Sequence, residues 1–429
     1  MLSFQAALHP RAQNTRHRVG LALAGGGPIG GIYELGALRA LDEAIAGIDL
    51  TRLDAYVGVS SGALMAASLA NRIDTSEMCR ILVSDESAEH PFKPEIFLRP
   101  AFAEFAGRLA KLPRVLGAVA GQLFMHPLST RPGDLLGKFG ALLPTGLFDN
   151  REVERYLRKL FTSGGRSNDF RELDRVLSVI TVDLDTGATV RFGAPGFDDV
   201  PISKAIQASS ALPGLYPPVR IKGRYYVDGA LKRTLNASVV LEAGVDLVIG
   251  INPLVPYNAN QALARGKTAR GSLVERGLPA VLSQTFRALL QSRMQVGLAK
   301  YDKAYDHADL LLIEPDADDA EMFFINEFSF DSRQQLAAHA YARTLSDLRS
   351  NRIQVDTMLE RHGLALNAAI LDDPERTLWT SLKHKPTRRT TTTSRLRRAL
   401  DDLANKVDLV ENDRPAGTEQ LHPQQIENL

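Results

Sequence analysis

The hydrophobic positions of the first seventy residues follow two successive strand-and-helix patterns. A short apolar run, Arg18–Ala24, enters a glycine-rich stretch, after which apolar residues recur at three- and four-residue spacing. The same order repeats with the apolar run Leu53–Val57, a second glycine-containing turn and the helical pattern Ala63–Asn71. Two such units predict an α/β fold with a largely parallel sheet and with loops gathered at the carboxyl ends of its strands.

The middle and the end of the chain carry further helical and strand patterns. Residues 91–150 contain Phe, Leu and Pro in short helical patches and predict an inserted helical cap. Helices are also predicted at Leu273–Tyr301 and at Asp331–Glu360. Apolar runs predict the remaining strands, which are Val176–Val182, Ala188–Phe192, Arg224–Val227, Val245–Ile251 and Ala308–Glu314.

These patterns divide the chain into an N-terminal arm at 1–17, a main domain at 18–315, a helical extension at 316–372 and a tail at 373–429. The tail carries a basic run without intervening acids, made of Lys383, Lys385, Arg388, Arg389, Arg395, Arg397 and Arg398. Few hydrophobic residues and clustered charge are typical of disorder, so we expect a mostly disordered tail. Its basic run is either a solvated linker or a contact for an anionic membrane face.

Composition narrows the class of protein. The chain has 429 residues, with 51 Lys and Arg against 50 Asp and Glu, so no overall field favours nucleic acid and we expect no nucleic-acid partner. The single cysteine, Cys79, excludes an intrachain disulfide framework and any metal site that needs two thiolates from one chain. The oligomeric state stays open.

The N-terminus and the apolar runs bear on location. The first twenty residues contain Arg11, Arg16 and Arg18 but lack the apolar core of a secretory signal, so we expect a cytoplasmic protein, with a transit peptide as the alternative. The most apolar run, Val115–Met125, is shorter than the ~18 residues that a membrane-spanning helix needs. Peripheral contact with a membrane stays open.

The segment Gly58–Gly62 fits the pattern G-x-S-x-G, in which a serine occupies a strained corner between a strand and a helix. Ser60 would be the nucleophile, and the small residues around it let the backbone fold sharply. The N-terminus of the following helix favours negative charge on the attacking oxygen. Ser61 is the neighbour of the nucleophile in this register.

The glycine run permits two uses. Gly25, Gly27 and Gly30 satisfy the G-x-G-x-x-G fingerprint of dinucleotide-binding folds, but the acid expected after the second strand is missing there. An NAD-dependent oxidoreductase is therefore the least favoured function. If Ser60 is a nucleophile, the backbone N–H groups of Gly26 and Gly27 can face a tetrahedral oxyanion instead.

A third segment places an acid at the end of a strand, in Asp228-Gly229-Ala230. Asp228 either serves as a base or caps a turn, as Asp-Gly pairs commonly do. None of the nine histidines lies in the three segments. A Ser-Asp-His triad would need one of His307, His339, His362, His384 or His422, so a serine–aspartate dyad is the simpler arrangement.

In combination and order, these segments resemble the patatin-like phospholipase family over about Arg18–Pro253. Ala208–Pro218 and Thr181–Gly187 also resemble family segments, and we take the acids of the latter as structural. The resemblance implies a three-layer α/β/α fold with a mainly parallel sheet and a Ser60–Asp228 dyad that needs no metal or other cofactor. The resemblance assigns the oxyanion hole to Gly25, Gly26, Gly27 and Ser61. It assigns the remaining motif glycines to Gly30, Gly58, Gly62 and Gly229.

The expected function is hydrolysis of fatty-acyl esters of phospholipids or related lipids through an acyl-enzyme. The alternatives are a carboxylesterase or lysophospholipase that acts on smaller esters, and a catalytically silent lipid-binding scaffold. Ile29, preceded by Pro28, stands where the family usually has Arg or Lys, which bears on head-group preference. We also expect burial to raise the pKa of Asp228, because a carboxylate is otherwise a weak base for a serine.

Apolar residues of the predicted cap recur at helical spacing, at Phe102, Phe105, Leu109, Leu112 and Leu116. Such a face either packs against the sheet as part of the core, or it shelters an acyl chain or leans on a bilayer. The two alternatives predict opposite exposures for these side chains.

Overall fold

A nine-stranded sheet forms the centre of the computed structural model. The model describes residues 1–10, 17–84, 94–97, 99–125, 142–266, 273–325 and 330–382. The strands of the described residues are β1 (Leu2–Gln5), β2 (Val19–Leu23), β3 (Ile45–Ala46), β4 (Ala55–Val59), β5 (Val176–Asp183), β6 (Thr189–Phe192), β7 (Val219–Ile221), β8 (Arg224–Asp228), β9 (Leu247–Ile251), β10 (Asp309–Ile313) and β11 (Ala365–Leu366).

The main sheet has the strand order β1-β10-β9-β2-β4-β5-β8-β7, and β6 also pairs with β5. The five strands from β10 to β5 are parallel to their neighbours, whereas β1, β6, β7 and β8 pair antiparallel. The carboxyl ends of β2, β4 and β9 therefore meet at one edge of the sheet, where α/β folds usually place their ligand sites.

Helices cover both faces of the sheet. The α-helices of the described residues are α1 (Gly27–Ala44), α2 (Ser61–Ala70), α3 (Thr75–Leu82), α4 (Phe102–Leu109), α5 (Leu112–Met125), α6 (Arg151–Phe161), α7 (Ile202–Ser209), α8 (Ala237–Glu242), α9 (Ala259–Ala264), α10 (Gly277–Ala304), α11 (Ala320–Phe324), α12 (Phe330–Ser350), α13 (Arg352–Glu360), α14 (Ala368–Leu371) and α15 (Leu378–Ser381). No helix in this part of the chain is long and apolar enough to cross a bilayer.

Successive residues of the central strands point into different cores, as the alternation of side chains along a strand requires. Leu21 and Leu23 of β2 join a cluster with residues of α1, α2 and α12, while Ala22 joins a second cluster with α8 and α10. Close packing of α1 on α12 depends on Gly36, where a Cβ would lie 2.4 Å from the carbonyl oxygen of Ala337. Two cores on opposite faces of one sheet make the predicted three-layer α/β/α fold.

The local predictions are largely confirmed, with three differences. The second strand is Ala55–Val59 rather than Leu53–Val57, because the Leu53 N–H donates to the Tyr56 hydroxyl (2.8 Å) in a turn. The predicted N-terminal arm contains β1, which pairs with β10 at the edge of the sheet. Packed structure also continues past residue 373, since Leu378 and Leu382 are buried in the core. The rest of the predicted tail, 383–429, and residues 126–141 of the predicted cap lie outside the described residues.

Candidate active site

Ser60 occupies a sharp corner between β4 and α2. Its φ is 52°, a left-handed conformation that costs a residue other than glycine ~1–3 kcal/mol. The corner is possible because glycines flank it. A Cβ on Gly58 would lie 2.4 Å from the Cα of Ala63, and one on Gly62 would lie 2.5 Å from the carbonyl oxygen of Ala24. The G-x-S-x-G pattern therefore has the tight strand-to-helix geometry predicted for it.

Ser209, the last residue of α7, fastens this corner. The Ser60 backbone N–H donates to Ser209 Oγ (2.8 Å), and the Ser209 hydroxyl donates to the carbonyl oxygen of Ile180 (2.6 Å). Ser209 is fully buried, so the two hydrogen bonds join the elbow to β5 without access of bulk water. In the sequence, Ala208–Pro218 stands out only through its family resemblance, and no role for Ser209 follows from it.

Asp228 reaches the same level of the sheet from the other side of β5. Val59 of β4 pairs with Ile180, and Asp228 of β8 pairs with the next residue, Thr181. Ser60 follows Val59 directly, so pairing with adjacent residues of β5 places Ser60 and Asp228 at the same level of the sheet. Close packing supports the end of β8, since a Cβ on Gly229 would lie 2.3 Å from the Ile180 carbonyl oxygen.

The Asp228 carboxyl is almost inaccessible to solvent, with 4% of the residue exposed. It accepts a hydrogen bond from the Ala230 backbone N–H (2.9 Å), and the Ser60 hydroxyl lies close enough to lower its pKa. Burial raises the pKa of Asp228 to about 6, although the Ala230 N–H and the Ser60 hydroxyl act in the opposite direction. The direction agrees with the expectation from the sequence, and the group is suited to accept a proton near neutral pH. Asp228 also caps the turn, so the two roles that were posed as alternatives are compatible.

The glycine run connects β2 to α1 and lies directly beside the elbow. A Cβ on Gly25 would lie 2.9 Å from the Cβ of Ser60, and one on Gly26 would lie 2.6 Å from the ring of Pro253. Gly27 has φ 63° and begins α1, and the Gly30 N–H donates to the Gly26 carbonyl oxygen (3.0 Å). At Gly25 the loop thus lies against the elbow, and at Gly26 it lies against Pro253, with no room for a side chain at either position.

Ser61 begins α2 next to Ser60 and directs its side chain away from Asp228, toward α1. A Cβ on Gly31 would lie 3.2 Å from the Cβ of Ser61, and a Cβ on Gly30 would lie 3.6 Å from Ser61 Oγ. The hydroxyl of Ser61 is buried and does not contact the aspartate. Its position agrees with the role of neighbour rather than nucleophile.

Three of the five histidines considered for a triad lie in the described residues, and none hydrogen-bonds Ser60 or Asp228. His362 Nε2 contacts Asp309 at 2.6 Å, where β10 begins, and His307 lies just before that strand. His339 contacts Asp319 at 2.7 Å. His384 and His422 lie outside the described residues.

Pro253 is a second residue of the site that the sequence analysis missed. It comes two positions after β9, the strand that pairs with β2, and its ring covers the glycine loop. Its place beyond the carboxyl end of a central strand was a usable signal, because the loops of an α/β sheet gather there. In the Thr181–Gly187 segment, Asp183 accepts N–H donors from its own turn and pairs with Arg224 at 2.8 Å, contacts that hold the turn together.

The apolar face of the cap is exposed, so packing against the sheet is the wrong alternative for it. Phe102 of α4 is 74% exposed and Leu109 is 68% exposed. Several of these side chains line an open apolar groove of about 500 Å³, formed by Phe102, Phe105, Ala106, Leu109, Leu112 and Leu142.

A ladder of backbone hydrogen bonds connects the cap to the elbow. The Ala101 N–H donates to Leu147, the Leu147 N–H donates to Gly214 (3.2 Å), and Gly214 follows closely after Ser209 of α7. The exposed groove and the site are therefore linked through a few residues.

In the described residues, no group of three or more His, Cys, Asp or Glu side chains could hold a metal ion.

The sequence and fold define the class to which the chain belongs. The family model for Patatin-like phospholipase matches residues 21–241, just over half of the chain, from within β2 through the elbow and Asp228 into α8. The chain is a member of the patatin-like phospholipase family. This membership supports lipid acyl hydrolysis as its class of activity.

Solved structures that resemble the chain are distant. VipD from Legionella pneumophila is 14% identical, with 81% of this chain and 80% of that chain covered and a TM-score of 0.29. Human GIVD cytosolic phospholipase A2 in complex with methyl gamma-linolenyl fluorophosphonate is 13% identical, with 81% and 60% covered and a TM-score of 0.30. The type III effector protein ExoU is 17% identical, with 94% and 71% covered and a TM-score of 0.27. The chain therefore spans only 60% of the human enzyme.

Proposed function

We propose that the protein is a serine acyl hydrolase that cleaves fatty-acyl esters of phospholipids or related lipids through Ser60 and Asp228. The observation that carries the proposal is the position of the Ser60 hydroxyl beside the buried Asp228 carboxyl, close enough to lower the pKa of that carboxyl, at a strained strand-to-helix corner beside a glycine loop. A nucleophile within hydrogen-bond reach of a base, with backbone donors close by, is the arrangement that acyl transfer needs.

In the first half of the reaction, Asp228 accepts the Ser60 proton while Oγ attacks the ester carbonyl carbon. Negative charge develops on the carbonyl oxygen, and backbone N–H groups of the Gly25–Gly27 loop and of Ser61 would stabilise it. The intermediate then collapses, the bond to the leaving alcohol breaks, and the proton on Asp228 passes to the leaving oxygen. An acyl-enzyme ester on Ser60 remains.

In the second half, water attacks the acyl-enzyme and Asp228 accepts its proton. The bond between Ser60 Oγ and the acyl carbon breaks, and the proton returns to Ser60 as the fatty acid leaves. Because Asp228 has a pKa of about 6, it is mostly ionised at neutral pH and yet basic enough to hold a proton transiently.

The exposed apolar face of the cap supports the proposal that the protein acts on its substrate at a lipid surface. The groove on α4 and α5 is apolar, and Arg108, Lys111 and Arg114 are the basic residues of these helices and their junction, against one acid, Glu104. Apolar side chains that enter a bilayer, flanked by basic ones, favour peripheral binding to anionic membranes. The alternative of a small-ester carboxylesterase or lysophospholipase predicts no gain of activity at such a surface.

Labelling with a fluorophosphonate probe tests the proposal. Wild type and Ser68→Ala should form one covalent adduct, and Ser60→Ala should form none. Ser68 is a suitable control, because it is also a buried serine and lies on the helix that follows Ser60, but outside the site. Tandem mass spectrometry should locate the adduct on Ser60. Folded wild type that neither labels nor hydrolyses acyl esters would refute the proposal and favour the silent scaffold.

A further inference from the structure

Glu34 is a buried carboxyl for which the proposed reaction has no use. It lies on α1 two turns after the glycine loop, and none of its surface is exposed. Among the described residues, neither of its carboxyl oxygens has a hydrogen-bond partner. Burying a polar group without a partner is costly, so an orphan of this kind needs a physical explanation.

The polar group that faces Glu34 is the Ser61 hydroxyl, which is itself buried and without a hydrogen-bond partner in the described residues. The two groups are close enough for Ser61 to lower the pKa of Glu34, but they do not form a hydrogen bond in the resting structure. The Glu34 carboxyl and the Ser61 hydroxyl are thus neighbours that could hydrogen-bond to each other, and neither has another partner in the described residues.

Their location couples the two loops of the site. Glu34 follows Gly30 and Gly31 by one turn, on the side of α1 that packs against Ser61 and Met65. The glycine loop leads into the first turn of α1, and Ser60 directly precedes the first turn of α2. A small approach of α1 toward α2 would complete the hydrogen bond and would bring the glycine loop and the elbow closer together.

Burial favours the neutral form of the Glu34 carboxyl. It raises the pKa of Glu34 well above the ordinary range, opposed by the Ser61 hydroxyl, and no charged side chain of the described residues contributes to that pKa. A neutral carboxyl can donate one hydrogen bond and accept another, so it can bond to a hydroxyl in either direction.

We propose that Glu34 is a positioning residue, which hydrogen-bonds the Ser61 hydroxyl when the glycine loop and the elbow close around the developing oxyanion. The inference rests on the proposed function. An interaction that forms only as the reaction proceeds lowers the barrier without strengthening substrate binding. It therefore predicts an effect on kcat with little change in KM.

A double-mutant cycle tests the proposal. Glu34→Met and Ser61→Ala should each lower kcat for a chromogenic acyl ester about tenfold, the change that ~1.4 kcal/mol of lost interaction produces, with KM nearly unchanged. The double variant should be no slower than either single variant, because the same contact is lost in all three. Glu34→Gln can still hydrogen-bond and should recover most of the activity.

Stability separates positioning from a structural role. Replacing an unsatisfied carboxyl with Met should leave the urea midpoint unchanged or raise it, while kcat falls. Glu43→Gln is the matched control on α1: its buried carboxyl pairs with Arg39 and Arg376, so the variant should lose stability and keep kcat.

Three results would overturn the role of Glu34: wild-type kcat in Glu34→Met and Ser61→Ala, additive losses in the double variant, or losses of kcat that follow a lowered urea midpoint. If Glu34→Met does not fold, Ser61→Ala and Glu34→Gln still decide between these results. Failure of wild type to label at Ser60 would instead reject the serine hydrolase assignment, and this inference with it.

Discussion

Ser60 and Asp228 lie at the same height on opposite sides of β5, where Ile180 pairs with Val59 and Thr181 pairs with Asp228. The two residues are far apart in sequence and come from strands that run in opposite directions. One strand between them sets both positions, and Ser209 ties the elbow to that strand. The geometry of the proposed dyad therefore depends on sheet register, which gives several expectations.

The pH dependence of hydrolysis should follow the ionisation of Asp228. Because burial raises its pKa to about 6, we expect kcat/KM to rise about tenfold per pH unit below 6 and to level off above it. The measurement is a pH profile of kcat/KM with an uncharged ester, whose own ionisation cannot contribute. A profile that is flat from pH 4.5 to 8 would contradict the proton-accepting role of Asp228.

Replacement of Asp228 by Asn should reduce activity and increase stability above neutral pH. In wild type the folded pKa exceeds the unfolded value, so stability is fully present below about pH 4 and is lost as the pH rises through 6. The difference between the ordinary pKa of 3.8 and a pKa of about 6 corresponds to about 3 kcal/mol. Urea unfolding should therefore find Asp228→Asn more stable than wild type at pH 8, by up to this amount, and show the difference shrinking toward pH 4.

Loss of the Ser209 hydroxyl should impair catalysis without removing any group that touches substrate. Ser209→Ala leaves the Ser60 N–H unsatisfied in a buried corner, at a cost of ~1–3 kcal/mol, and frees the elbow from β5. We expect kcat to fall at least tenfold and the melting temperature to drop. The neighbouring Ser210→Ala, at a half-buried position, serves as the control and should retain activity. Equal activities of the two variants would show that the tie to β5 is dispensable.

Much of the fold and the proposed site could be predicted from local sequence. Ser60 and Asp228 each stand at the end of a short apolar run beside glycine, so local pattern was enough to select them. Ser209 and Pro253 were missed because their roles depend on which strands are neighbours in the sheet. Strand pairing cannot be read from the local pattern of hydrophobic and polar residues.

Two other features could not be predicted from the sequence, for related reasons. Glu34 lies on an amphipathic helix, where an acid normally faces solvent, so its burial between α1 and α2 was not predictable from spacing. The cap illustrates the reverse case. Its apolar stripe has the same spacing as a core-facing helix, and only the structure distinguishes an exposed face from a buried one.

A methyl group at Gly25 should disable the site by displacing the nucleophile. The new Cβ would lie 2.9 Å from the Cβ of Ser60, a contact that side chains do not tolerate, so the elbow must move. We expect Gly25→Ala to lose at least a hundredfold in the rate of fluorophosphonate labelling, because a misplaced nucleophile of this kind costs on that order. Gly297→Ala in α10, where a Cβ has open space, should label at the wild-type rate. Rapid labelling of Gly25→Ala would disprove close contact between loop and elbow.

The exposed face of α4 should matter for activity on membranes and not for activity on soluble esters. Phe102→Glu and Leu109→Glu place charge on a face that would enter an anionic bilayer, where burying it is costly. We expect binding to anionic phospholipid vesicles, and hydrolysis of their lipids, to fall at least tenfold, with turnover of a short-chain soluble ester unchanged. Ile353→Glu on α13 is the control, because Ile353 is also a highly exposed apolar residue but lies outside the cap, and it should behave as wild type. If all three variants bind vesicles equally well, α4 is not the lipid-binding face. If soluble-ester turnover falls in parallel with vesicle hydrolysis, the substitutions disturb the site itself and the groove serves the acyl chain rather than the bilayer.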